Sequence, residues 1–171
     1  MSALETTLAQ LGITTALLQG RQLILFNEPE QLVVAETSPN GREHMLTPDT
    51  AKAWQSMKQA ALTAGIDIFI FSAFRSIARQ AELIQGKLDR GDNIADILKV
   101  LAPPGYSEHH TGRAIDISTL GVRAVQEEFA TTSAYAWLSE HAHEFGFVLS
   151  YPAGNQQGYQ YEPWHWCYHA G

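Results

Sequence analysis

Two short stretches of this 171-residue chain concentrate side chains that could do chemistry. The first is Ser107-Glu108-His109-His110-Thr111-Gly112-Arg113-Ala114-Ile115-Asp116, and the second is Tyr161-Glu162-Pro163-Trp164-His165-Trp166. A catalytic zinc takes three protein nitrogen or oxygen ligands and keeps one position open for water. His109, Asp116 and His165 supply such a set. Asp116 falls in the middle of an apolar run with Ala114, Ile115 and Ile117, where a carboxylate is costly unless something positive pairs with it. The pairing group is either a metal or an arginine, and Arg75, Arg79 and Arg113 are available. Glu162, three residues before His165, is a candidate general base, since a metal lowers the pKa of a bound water towards about 7 and a nearby carboxylate then takes its proton. A His/His/Asp set suits zinc but accepts other divalent ions. His109 and His110 are adjacent, so one of the two faces the site. His141 and His143 fall two apart on a predicted helix, so they diverge by about 200° and do not share a metal. His44 and His169 have no chemical context in the sequence.

The elements that must position these groups follow from pattern. Residues 3–11 read as a short helix ending at Gly12. Gln22–Phe26 and Leu32–Ala35 read as strands separated by the turn-forming Asn27-Glu28-Pro29. Thr47-Pro48-Asp49 is a helix start, with an N-cap hydroxyl, Pro at the first helical position and an acid in the first turn. Apolar residues then recur at helical spacing up to Gly65. Asp67–Phe71 is β-rich, Ser76–Lys87 and Asn93–Val100 are helical, and Leu101-Ala102-Pro103-Pro104-Gly105 is a loop. Arg113–Ser118 alternates as a strand. Ser133–Glu144 is a helix stopped at Gly146, and Phe147–Tyr151 and Trp164–Tyr168 are strands. Two ligands seven residues apart on one strand would be separated by about 23 Å. The chain must therefore turn between His109 and Asp116, and Thr111-Gly112 is the bend. The fold class is α+β: a small central antiparallel sheet carries the metal site and helices flank it.

Composition narrows the function classes. The net charge is −7, which disfavours a phosphate backbone or an anionic membrane surface as partner. With one cysteine, Cys167, there is no intrachain disulfide and no cysteine-based metal cluster. No apolar stretch is long enough to span a bilayer, so stable membrane insertion is not expected. The first residues lack a basic segment followed by an apolar run. The expected compartment is therefore the cytoplasm, with the periplasm as the alternative.

Together the two clusters resemble the D-alanyl-D-alanine carboxypeptidase/dipeptidase (VanY-type) family of zinc metallopeptidases, within the hedgehog/D-Ala-D-Ala peptidase-like superfold. That family shows Ser-x-His-x-x-Gly-x-Ala-x-Asp followed by Glu-x-x-His, and this chain carries Ser107-x-His109-x-x-Gly112-x-Ala114-x-Asp116 and Glu162-Pro163-Trp164-His165. Ser72-Ala73-Phe74-Arg75-Ser76 and Gln80 extend the likeness, which covers residues 45–170. The resemblance implies that His109, Asp116 and His165 bind one Zn2+ ion. It also implies that Glu162 is the base and later the acid that protonates the leaving amine. Arg75 would bind a substrate carboxylate or stabilise an oxyanion, which suits its planar fork. Ser107 would donate to substrate near the metal, and Gln80 and Ser72 would line the pocket. The implied activity is removal of a C-terminal D-amino acid from a small peptidoglycan-type peptide or muropeptide. A D,D-dipeptidase, an L,D-carboxypeptidase, an endopeptidase and a non-catalytic zinc-binding module are the alternatives. Residues 45–171 would form the catalytic domain and residues 1–44 an N-terminal extension. Two positions depart from the family pattern: Phe74 replaces a usual Tyr, and Cys167 replaces an Arg that commonly follows Trp-His-Trp. On an alternating strand Cys167 shares a face with His165, as a buried inert thiol or a fourth ligand.

Overall fold

The computed structural model describes all 171 residues. In chain order the helices are α1 (Ala3–Gln10), α2 (Thr15–Leu18), α3 (Pro48–Thr63), α4 (Ile77–Asp89), α5 (Ile94–Val100) and α6 (Ser133–His141). The strands are β1 (Val33–Thr37), β2 (Glu43–Leu46), β3 (Phe69–Ser72), β4 (Ala114–Ser118), β5 (Phe147–Leu149) and β6 (His165–Tyr168). Short 3₁₀ turns occupy Glu108–Thr111, Glu127–Thr131 and Ala142–Phe145. The architecture is α+β, as the pattern implies, but the strands divide into two antiparallel sheets. One is the β1-β2 hairpin. The other has the order β3-β4-β6-β5.

The four-stranded sheet has two different faces. Ile70 lies opposite Ile117, and Ile115 opposite Trp166. These residues join Trp54, Met57 and Ala61 of α3 and Leu138 of α6 in one buried core. Side chains alternate across a strand, so the neighbours of Ile115 and Ile117 point the other way. There the register aligns Ser72, Asp116 and His165 across three strands. An irregularity between Ile70 and Ser72 makes this alignment. One extra residue in β3 lets Ile70 stay in the core while Ser72, not Phe71, ends opposite Asp116.

Glu36 of β1 ties three elements together. Its Oε2 accepts from Trp54 Nε1 at 3.0 Å and from Lys58 Nζ at 2.7 Å on α3, and its Oε1 accepts from the Ile70 backbone N–H of β3 at 3.0 Å. The side chain is 11% exposed. Glu36→Ala would leave two largely buried donors without an acceptor. Each such loss costs about 1–3 kcal/mol, so the variant should be about 2–6 kcal/mol less stable. Urea unfolding followed by tryptophan fluorescence reads this, and a change below about 0.5 kcal/mol would contradict it.

Several boundaries differ from the pattern-based reading. Gln22–Phe26 is not a strand. Its backbone makes isolated bonds instead of a ladder, from Gln22 N–H to Gln156 and from Phe26 N–H to Gly105. Ile24 and Leu25 of this segment remain exposed. Thr47 precedes α3 without a side-chain cap, because its hydroxyl bonds Thr50 Oγ1 at 2.8 Å. The predicted helix 133–144 ends at His141 and tightens into the 3₁₀ turn that Gly146 closes at φ +82°. β5 stops at Leu149, and Pro152, which has no N–H, cannot extend the ladder. A second, smaller core of Leu11, Ile13, Ile84, Ile97 and Leu98 fastens the first residues to α4 and α5. Arg21 adds bonds to the carbonyls of Gln157 and Leu98 and lies over the Tyr159 ring, 4.8 Å from its centroid.

Candidate active site

The turn between His109 and Asp116 is a single 3₁₀ turn closed by Gly112 at φ +65°. A Cβ at Gly112 would meet Leu32 Cδ2 at 2.9 Å and the Thr47 backbone nitrogen at 3.3 Å, so both the conformation and the space favour glycine. Ser107 caps this turn, accepting from the His109 N–H at 3.3 Å. The second cluster is also a turn: the His165 N–H donates to the Glu162 carbonyl at 3.1 Å, with Pro163 at the position its fixed φ suits. One turn therefore presents Glu162 and His165 together, with Glu162 Oε2 3.8 Å from His165 Nδ1.

His109, Asp116 and His165 converge, and one ligand atom from each lies within 4.8 Å of the others. All three are at least 95% buried. His109 Nδ1 sits 2.8 Å from the Ala73 carbonyl, which leaves Nε2 towards Asp116 Oδ2 at 3.3 Å. His165 is turned the other way: Nδ1 faces Asp116 Oδ1 at 3.1 Å and Nε2 faces Glu108 Oε2 at 2.9 Å. The Tyr151 ring packs on His165 with centroids 4.7 Å apart. Two imidazoles, each held by a further contact, and a carboxylate between them fit the donor chemistry of a zinc-type divalent ion.

The charges of the protein alone set the ionisation of these groups. Burial would raise Asp116, but the facing His109 and His165 outweigh it and hold the carboxyl far below its ordinary range. Burial would lower His165, but its bonds to Asp116 and Glu108 win and raise it to about 10. In His109 burial wins, and the ring is shifted down. Glu162 is pushed up to about 7 by burial, with the charges of Asp116 and Glu108 adding to the rise against the pull of His165.

These groups open on a cleft of about 560 Å³. Arg75 lies in its wall, with its guanidinium held by Ser72 Oγ at 3.0 Å and Gln80 Oε1 at 3.0 Å. Gln80 also donates to the Ala102 carbonyl at 2.7 Å, so both ends of its amide are engaged within the protein. Ser72 and Gln80 thus line the cleft while orienting Arg75. Burial lowers the Arg75 pKa, partly offset by Asp116. His110 faces away from the metal-type cluster. Its Nδ1 meets the Arg75 carbonyl at 2.6 Å and its Nε2 accepts from the Gly105 N–H at 3.1 Å, joining the arginine segment to the Pro103-Pro104-Gly105 loop. His44, also without sequence context, is buried and bonds Ser38 Oγ at 2.7 Å.

Cys167 is buried beside this region and is not among the three converging groups. Burial and the neighbouring Glu108 charge raise its pKa, which keeps it a neutral thiol. Sequence reasoning assigned no role to Glu108, which bonds His165, to Ser150, which bonds Glu108, or to Tyr151 and Tyr159, which line the cleft. Of these, Glu108 carried a signal, as an acid next to a candidate ligand.

Comparison with known proteins gives a consistent set of likenesses. The chain is 31% identical over 149 residues to YodJ of Bacillus subtilis, a match covering 82% of this chain and 54% of YodJ. It therefore spans about half the length of that relative. Among solved structures it is similar to the LdcB LD-carboxypeptidase, with a TM-score of 0.73 and 30% identity over 82% of this chain and 69% of that one. It is also similar to the D,D-pentapeptidase VanY E175A mutant in complex with Zn(II), with a TM-score of 0.62 and 29% identity over 85% and 86% of the two chains. The family model described as VanY, D-alanyl-D-alanine carboxypeptidase, matches residues 43–171, three-quarters of the sequence, and the chain belongs to that family.

Proposed function

We propose that this protein is a zinc-dependent carboxypeptidase that hydrolyses the C-terminal D-amino acid of peptidoglycan-type peptides. The observation that carries the reading is the meeting of His109, Asp116 and His165 with the Glu162 carboxylate and the Arg75 guanidinium on one cleft. His109, Asp116 and His165 would hold one zinc ion, which supplies the Lewis acidity that polarises a peptide carbonyl and acidifies a water. Glu162 takes a proton as base and returns it to the leaving amine as acid. Burial pushes its carboxyl up to about 7, close to neutral pH, where one group both takes and returns a proton. Arg75, pre-oriented by Ser72 and Gln80, offers its fork to the peptide carboxylate or to a developing oxyanion. Ser107 lines the cleft beside His109 as a hydrogen-bonding group for substrate.

The charge pattern supports an anionic substrate. The protein carries −7 overall, yet Arg42, Arg75, Arg79 and Lys87 all line this cleft. A peptide ending in a free carboxylate suits that concentration of positive charge. An L,D-carboxypeptidase is the second reading, favoured by the likeness to LdcB. We further read residues 1–44 as an extension that packs on the 45–171 catalytic domain.

The test is metal content combined with a substrate panel. Purified protein is expected to carry one zinc per chain. It should release D-Ala from D-Ala-D-Ala, a pentapeptide or a tetrapeptide, lose that activity on chelation and regain it with added zinc. Pentapeptide cleavage alone indicates D,D-carboxypeptidase action, and tetrapeptide cleavage alone indicates L,D action. Zinc-loaded protein that cleaves none of these, nor intact muropeptides, would overturn the reading in favour of a non-catalytic module.

A further inference from the structure

A histidine ligates a metal through one ring nitrogen only when the other is held as N–H, so the partner across the ring decides which nitrogen faces the ion. The two histidines of this site solve that problem with different partners. His109 turns Nδ1 to the Ala73 carbonyl and presents Nε2. His165 turns Nε2 to the Glu108 carboxylate at 2.9 Å and presents Nδ1 to Asp116. Glu108 is itself fixed, because Ser150 Oγ donates to the same Oε2 at 2.6 Å. Ser150 follows directly on β5, and Glu108 opens the 3₁₀ turn that also carries His109. Glu108 and Asp116 therefore contact His165 through opposite ring nitrogens, 57 and 49 residues away in the chain.

We propose that Glu108, braced by Ser150, is a positioning residue that holds the Nε2–H of His165 and so commits this histidine to ligation through Nδ1. The inference rests on the metal-site reading above. A carbonyl such as that of Ala73 can only accept a hydrogen bond, and an ionised carboxylate is likewise acceptor-only. Each therefore specifies the N–H form of the nitrogen it meets, whereas Asp116, a member of the ligand set, would turn its charge to the ion that it shares with the opposite nitrogens. The carboxylate adds charge, which also strengthens the basicity of the opposite nitrogen. Because Glu108 and His109 are adjacent on one tight turn, the segment that supplies one ligand also orients another. The Glu162-Pro163-Trp164-His165 turn then fixes Glu162 relative to the nitrogen that Glu108 selects.

The experiment reads the metal and the ring directly, without using turnover. Long-range ¹H–¹⁵N correlation spectra of the wild-type zinc protein should show His165 protonated at Nε2 and metal-bound at Nδ1, and His109 the reverse. Zinc affinity, measured by competition with a chromogenic chelator, should fall about 10–100-fold in Glu108→Ala, the scale for losing such an outer partner. Glu108→Gln keeps an acceptor oxygen and the side-chain volume, so it should bind more tightly than Glu108→Ala and less tightly than wild type. Ser150→Ala should shift affinity in the same direction by a smaller factor. Circular dichroism of each variant establishes folding, and Glu108→Gln, which keeps the side-chain volume, carries the comparison if Glu108→Ala is misfolded, with wild-type affinity in it overturning the inference. Ligation of His165 through Nε2, or a folded Glu108→Ala variant with zinc affinity within twofold of wild type, would overturn the inference while leaving the metal site standing. Wild-type protein that binds no zinc would instead overturn the underlying reading.

Discussion

Glu162→Gln is expected to retain zinc at wild-type occupancy while kcat falls by about 10²–10⁴-fold, the range for losing general acid–base catalysis. Glu162 is not one of the three converging groups, so its loss leaves both imidazoles and Asp116 in place. Gln keeps the volume and a hydrogen-bonding oxygen but has no proton to take or give near neutral pH. KM should move little, because Arg75 and the cleft wall are untouched. A fall in kcat with KM unchanged is the pattern for a group acting in the transition state. Near-normal turnover by zinc-loaded Glu162→Gln would remove this residue from the chemistry and return the search to Glu108, the acid besides Asp116 that contacts His165.

Asp116→Asn is expected to lose zinc and activity together. The carboxylate lies between the two histidines, 3.3 Å from His109 Nε2 and 3.1 Å from His165 Nδ1. An amide removes the negative ligand and aims either an N–H₂ or a weaker carbonyl at the ion. The loss of affinity should exceed the roughly 100-fold upper figure for losing a mere outer partner. Chelator competition measures it, with hydrolysis of the preferred peptide followed in parallel. Replacing a carboxylate at the centre of a buried charge cluster also leaves the remaining groups poorly paired, and such losses cost about 3–5 kcal/mol. Metal-free wild type and variant compared by urea unfolding isolate that part. A variant that keeps zinc at wild-type affinity would place the ion elsewhere or remove it from the reading.

What the sequence made legible was local. The spacing of His109, Gly112 and Asp116 forces a turn, and the turn is there. The mid-strand Asp116 demanded a positive partner, and His109 and His165 surround it. None of the candidate arginines pairs with Asp116: Arg75, on the same cleft, is held by Ser72 and Gln80, and Arg79 pairs with Glu82. What stayed hidden was long-range. The contact of Glu108 with His165 spans 57 residues and depends on sheet register, which no window of sequence contains. Gln22–Phe26 has β-type apolar content, but strand formation needs a neighbouring ladder, and the only partners nearby are two loops that each take one bond. Ser72 and Gln80 have residue types suited to substrate binding, and only the fold commits their oxygens to Arg75.

The Glu36 carboxylate has a second consequence, concerning the protein's dealings with other copies of itself. β3 is an edge of the four-stranded sheet, and edge strands invite pairing with foreign chains. The Ile70 N–H, which would greet such a strand, is already spent on Glu36. An incoming strand would have to displace a charged side chain also held by Lys58 and Trp54. At the opposite edge β5 offers three residues before Pro152 forbids continuation. The sheet that aligns the site is thereby blocked at one margin and cut short at the other, which resists open-ended β-stacking between molecules.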